Sequence, residues 1–241
     1  MTTVCAETKE QALNLAEEAF ENFCNDISGM FGIDISCTLE EPCEEDIKGL
    51  QKRFKKVVAV NTVESKGALS GKYQLIFDHD GLFTLSGVIT MLPEARIKQN
   101  IKLGKIEDAD AMADSIGEMG NLLVGAWDRT FRESLEGHEH FKQVLPAYIG
   151  KPWLKTEETI GLKKGDPITF IPVEVTVGEY EPFNCGIIYP ESVFTQDSDT
   201  EEPAAEEDKQ EEEPKAEEKK EDKQEEEPKA EESKEDKQEE E

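Results

Sequence analysis

Glu118 and Asn121 are the residues whose types and spacing point most directly to chemistry. They stand in the stretch Asp114 to Trp127, DSIGEMGNLLVGAW, whose apolar spacing predicts a helix. Side chains three apart on a helix project together from adjacent turns, so this carboxylate and this carboxamide can act on one target. At about 100° per residue, Asp114, Glu118, Asn121 and Gly125 fall within roughly 60° of one another and form a straight exposed ridge. Met112, Ile116, Met119, Leu123, Trp127 and Thr130 gather on the other side and predict the core contact.

The same helix carries Gly117, Gly120 and Gly125, although each helix-interior glycine costs roughly 1 kcal/mol relative to alanine. Gly125 lies on the ridge and Gly117 flanks it, so both remove side chains that would hold a partner away. Gly120 lies nearer the buried side, where it permits close packing. A control exists within the chain: Glu181-Pro-Phe-Asn184 has the same spacing. It reads as a turn and strand start, where side chains three apart point to opposite faces.

Two helices and a sheet are expected to position this ridge. Thr8 to Phe31 reads as a first long helix ended by Gly32, and Asp110 to Leu135 as the second. Lys56 to Val63 and Ala68 to Phe77 read as a strand pair turning at Lys66-Gly67. Leu82, Leu85, Val88, Ile89 and Leu92 fit a helix, with a strand as the alternative. Pro93 to Asp110 reads as a polar connection. Lys142 to Ile149, Ile168 to Val177 and Asn184 to Tyr189 read as strands. In the middle one, Val173, Val175 and Val177 alternate with Glu174 and Thr176, as in a sheet with one wet face. The fold class is α+β: an antiparallel-looking sheet covered by two long helices.

The chain has 241 residues and a formal net charge of −29. Its acidity argues against nucleic acid as a partner. No apolar run reaches bilayer length, and the amino terminus lacks the pattern of a signal peptide, so a cytoplasmic protein is expected. Five scattered cysteines, Cys5, Cys24, Cys37, Cys43 and Cys185, suit reduced thiols. His138-Glu-His140 reads as a solvated stretch at the end of the helix rather than a metal site, and no metal site of the protein's own is expected. Nucleotide-binding glycine loops are absent.

Residues 1–195 are read as one domain and 196–241 as a tail. From Thr195 onward the chain is almost wholly Glu, Asp, Lys, Gln, Pro and Ala, and EDKQEEEPKAEE recurs with a period of fourteen from Glu207. Such a composition predicts disorder. A solvated spacer and a docking segment are both compatible with it.

The run Asp114-x-x-x-Glu118-x-x-Asn121-x-x-x-Gly125 resembles the signature of the CheC/CheX/FliY chemotaxis phosphatases. FENFCNDISGMFGIDIS, GALSGKYQLIF, LPAYIGK and VEVTVGEYEPFNCGIIYP are similar to segments of the CheX branch, so the resemblance spans about residues 17 to 190. The tail and the stretch Lys151 to Pro167 have no clear counterpart. The first helix has Glu21 and Asn25 at spacing four and no second signature, which implies one site per chain.

The resemblance implies a phosphatase acting on the phospho-aspartate of a CheY-like response regulator. Glu118 would pair with the regulator's active-site lysine and Asn121 would orient a water for in-line attack. Mg²⁺ would belong to the regulator, with no cofactor on this chain. Gly117, Gly125 and Asp114 would contact the partner, although Asp114 is equally accounted for by the helix dipole. A homodimer is implied. The alternative function is a non-catalytic adaptor of the same fold, binding a regulator or a flagellar switch component.

Overall fold

The computed structural model describes residues 3–4 and 6–196. The acidic repeat lies outside the described residues. From the amino terminus, β1 (Thr3–Val4) precedes the long helix α1 (Ala6–Phe31), which Gly32 ends at φ +64° as the sequence predicts. Then come β2 (Ile35–Leu39), β3 (Cys43–Glu45), the short α2 (Ile47–Arg53), β4 (Val58–Gly67) and β5 (Gly71–Phe77). Next are α3 (His79–Ile89), α4 (Glu94–Leu103), α5 (Ile106–Asp110) and the second long helix, α6 (Ala113–Ser134). β6 (His138–Gly150), α7 (Thr156–Ile160), β7 (Ile168–Val177), β8 (Phe183–Pro190) and β9 (Thr195–Gln196) complete the series.

Seven strands form one sheet along the path β2-β7-β8-β5-β4-β6, with β3 also on β7; every pairing is antiparallel. Alternate residues face opposite ways. Val63, Tyr73, Leu75, Val173, Val175 and Ile187 therefore share one core with α1, α3 and α6. Within it Phe20 of α1 meets Trp127 of α6 edge to face, 4.6 Å between ring centroids. Asn22 also donates to the Thr130 hydroxyl at 2.9 Å. The expected buried stripe of α6 is buried in full, from Met112 through Thr130.

Three sequence expectations need correction: the wet face of β7, the connection Pro93 to Asp110 and the β4–β5 turn. The stretch Lys151 to Pro167, whose role is not legible in the sequence, is part of a second layer. Trp153, Ile160 and Leu162 join Leu50 and Phe54 over Val58, Val60, Ile76, Phe170 and Ile188 on the other face of the sheet. Trp153 Nε1 donates to the Phe54 carbonyl at 2.9 Å, and Gln74 Nε2 to that of Ile160 at 2.9 Å. The wet face of β7 is thus limited to the Glu174–Thr176 end, since Ile168 and Phe170 are covered. The polar connection Pro93 to Asp110 contains α4 and α5; α4 is anchored by buried Ile97 against Gly87 of α3, and its sparse apolar residues hid its period. The β4–β5 turn falls after Gly67, at Ala68 to Ser70, because β4 continues pairing with β6 as far as Gly67.

Candidate functional site

Asp114, Glu118, Asn121 and Gly125 are all exposed along α6, and Gly117 is half-buried beside them. The helix brings these residues together as their spacing predicts. Asp114 lies in the first turn, where the helix dipole favours a carboxylate. None of Asp114, Glu118 and Asn121 makes a side-chain hydrogen bond or ion pair among the described residues. Further along the helix both arginines are paired: Arg129 reaches Asp26 of α1 at 2.7 Å and Arg132 reaches Asp128 at 2.5 Å. Two carboxylates one turn apart repel each other by a few tenths of a kcal/mol, to order of magnitude. Asp114 and Glu118 carry that penalty with no cation paired to them among the described residues.

The three glycines separate into two kinds. A β-carbon at Gly120 would lie 2.3 Å from Asn61 Oδ1 and 2.3 Å from Gln143 Nε2, so α6 rests directly on this amide pair. Gln143 Nε2 donates to Asn61 Oδ1 at 2.9 Å, with Asn61 wholly buried. At Gly125 a β-carbon would meet nothing within 4 Å, and at Gly117 only Leu145 Cδ2 at 3.9 Å. Packing therefore accounts for Gly120, while among the described residues nothing packs closely on Gly117 or Gly125.

Asp128 sets how the helix joins the sheet. Its carboxylate accepts from the Phe141 N–H at 2.7 Å and lies 3.0 Å from His138 Nε2. Partial burial pushes the Asp128 pKa up, but hydrogen bonds from Arg132, the Phe141 N–H and His138 outweigh it and hold the group below its usual 3.8. This corrects the reading of His138-Glu-His140 as a solvated stretch. Both histidines belong to β6, and His138 has a buried side chain facing Asp128. Among the described residues no cluster of three or more His, Cys, Asp or Glu side chains could hold a metal ion.

The internal control behaves as spacing on a strand requires. Asn184 lies at the start of β8, and its side chain and N–H both donate to Asp78 Oδ2, at 3.3 and 2.9 Å. Asp78 also caps α3 by accepting from the Gly81 N–H at 2.8 Å. Asn184 is a structural residue.

Neither a protein-family model nor a curated protein sequence matches this chain. Solved structures do. FliY of Thermotoga maritima superposes with a TM-score of 0.60 at 14% identity, over 80% of this chain and 94% of that one. The chain has the FliY fold. FliM from an H. pylori FliG–FliM complex has the fold as well, with a TM-score of 0.54 at 10% identity over 80% of this chain and 96% of its own. CheX from a Borrelia burgdorferi CheX–CheY–BeF3–Mg²⁺ complex matches with a TM-score of 0.42 at 13% identity, over 72% and 96%. In this chain α6 presents Glu118 and Asn121 outward, with the Asn61–Gln143 pair beneath. Sequence reasoning missed that pair. The only local signal was an asparagine interrupting the apolar run KVVAVNTV.

Proposed function

We propose that this protein binds a phosphorylated CheY-like receiver domain through the α6 ridge and accelerates hydrolysis of its aspartyl phosphate. The observation that carries this reading is the combination of unpaired Glu118 and Asn121 with the open glycines Gly117 and Gly125. A helix that exposes a reactive pair and clears the surface around it suits a target that must approach at backbone distance.

Glu118 pairs with the lysine of the receiver's active site and fixes the docking register. Asn121 enters that site and orients a water. The water oxygen attacks phosphorus in line, the bond from phosphorus to the aspartate oxygen breaks, and inorganic phosphate and a free carboxylate are released. Mg²⁺ belongs to the receiver. Phosphoryl transfer gains chiefly from orientation and charge stabilisation, which a neutral amide supplies without facing the anionic phosphoryl group with another negative charge. A cytoplasmic location follows from such a partner.

The second reading is a non-catalytic adaptor, favoured by the shared fold of FliM, which is found in complex with FliG. Phosphate release from a panel of phosphorylated receivers, with and without catalytic amounts of this protein, separates the two. Acceleration with turnover supports the phosphatase; binding without acceleration supports the adaptor.

A further inference from the structure

The edge strand β6 carries an irregularity beside the ridge. Thr62 of β4 pairs with Val144 and Val60 pairs with Tyr148, so the single residue Asn61 faces Leu145, Pro146 and Ala147. Such insertions re-aim side chains and are found next to functional sites. Leu145 is thrown out of the sheet and is 61% exposed; Pro146 is exposed as well. The Leu145 side chain turns towards α6, with Cδ2 3.9 Å from the position of a β-carbon on Gly117. On the other side of the same irregularity, Asn61 turns inward to Gln143, and both press on Gly120. One feature thus sets the height of α6 on the sheet and places an exposed leucine against the flank of its ridge.

We infer that Leu145 is an apolar anchor of the partner surface, covered by the receiver domain when its lysine meets Glu118. This inference rests on the proposed function. The occupant is the receiver because the leucine is continuous with the ridge through Gly117, and because Asp114 and Glu118, without an ion-pair partner among the described residues, call for a cation from the same partner. Alanine at 113 and glycine at 117 keep the intervening surface low and uncharged, so one rigid partner can touch both the leucine and Glu118. Covering an exposed leucine removes its apolar surface from water, which favours association in proportion to the area buried.

The test uses full-length Leu145→Asp and Leu145→Ser, with Leu154→Asp as control, because Leu154 is 95% exposed in the layer on the far face of the sheet. Thermal melts establish that each variant is folded. Initial rates are measured over a range of phosphorylated receiver, and binding is measured to the same receiver loaded with beryllofluoride and Mg²⁺. The expected result for both Leu145 variants is a KM and Kd raised roughly tenfold or more, with kcat at saturation close to wild type and Leu154→Asp unaffected. Unchanged KM and Kd in folded Leu145→Asp overturns the inference while leaving the phosphatase reading intact. Wild-type binding without acceleration removes the phosphatase reading, and the Kd of the variants still decides the anchor. Wild-type protein that neither binds nor accelerates any receiver of the panel overturns both.

Discussion

Replacing Gly117 and Gly125 by alanine, singly and together, tests whether these glycines serve an approaching partner. Neither position has a positive φ, and a β-carbon there meets nothing closer than 3.9 Å. Each substitution should therefore return the helix-propensity difference, about 0.8–1 kcal/mol. The sites are eight residues apart, about 12 Å along the helix, far enough for the effects to add to about 1.6–2 kcal/mol. At about 2–4 °C per kcal/mol for a domain of this size, the double variant should melt about 3–8 °C higher. Gly120→Ala sets the contrast. Its β-carbon would stand 2.3 Å from both Asn61 Oδ1 and Gln143 Nε2, and overpacking of that kind destabilises by about 1–3 kcal/mol. Calorimetry reads the stability of all four proteins, and receiver dephosphorylation at subsaturating receiver reads their function. Gly117→Ala and Gly125→Ala should combine higher melting temperatures with activity reduced about tenfold, equivalent to about 1.4 kcal/mol. A more stable Gly125→Ala with full activity would refute the argument that the open glycine serves a partner. A less stable one would refute the assignment of open space around it.

Asn121→Ala should lower kcat for assisted dephosphorylation by about 10²-fold, about 2.7 kcal/mol of barrier, while Glu118→Ala should act mainly on KM; steady-state kinetics on one receiver checks both. Asp128→Ala orphans the Phe141 N–H and the buried His138 and should lower stability by about 1–3 kcal/mol. Because the folded pKa of Asp128 is depressed, its contribution is present above the usual value of 3.8 and is lost as pH falls through the lower folded value. Denaturant curves of wild type and Asp128→Ala should thus stay separated at neutral pH and converge only below that range. Light scattering should return twice the chain mass of 27.1 kDa; the mass of one chain at micromolar concentration would exclude the homodimer.

The division of α6 into a buried stripe and an exposed ridge was legible in the sequence, because helical periodicity is a property of the chain's own geometry. It was enough to separate Glu118 and Asn121 from Glu181 and Asn184, since a strand cannot aim residues three apart at one target. It also assigned Gly120 to packing and the other two glycines to the surface. The sequence could not show what Gly120 packs against. Asn61 and Gln143 are separated by 82 positions, and their contact exists only because β4 and β6 are neighbours in the sheet. The layer formed by Trp153, Ile160 and Leu162 was hidden for the same reason: three apolar residues in a polar stretch have no period and gain meaning only from the face they cover. Leu145 is the sharpest case. Its sequence neighbours read as a regular strand, and only the mismatch between β4 and β6 across Asn61 pushes it out of the sheet and onto the flank of the ridge. Local periodicity decides which side of an element is buried; long-range register decides which residue from elsewhere in the chain stands beside it.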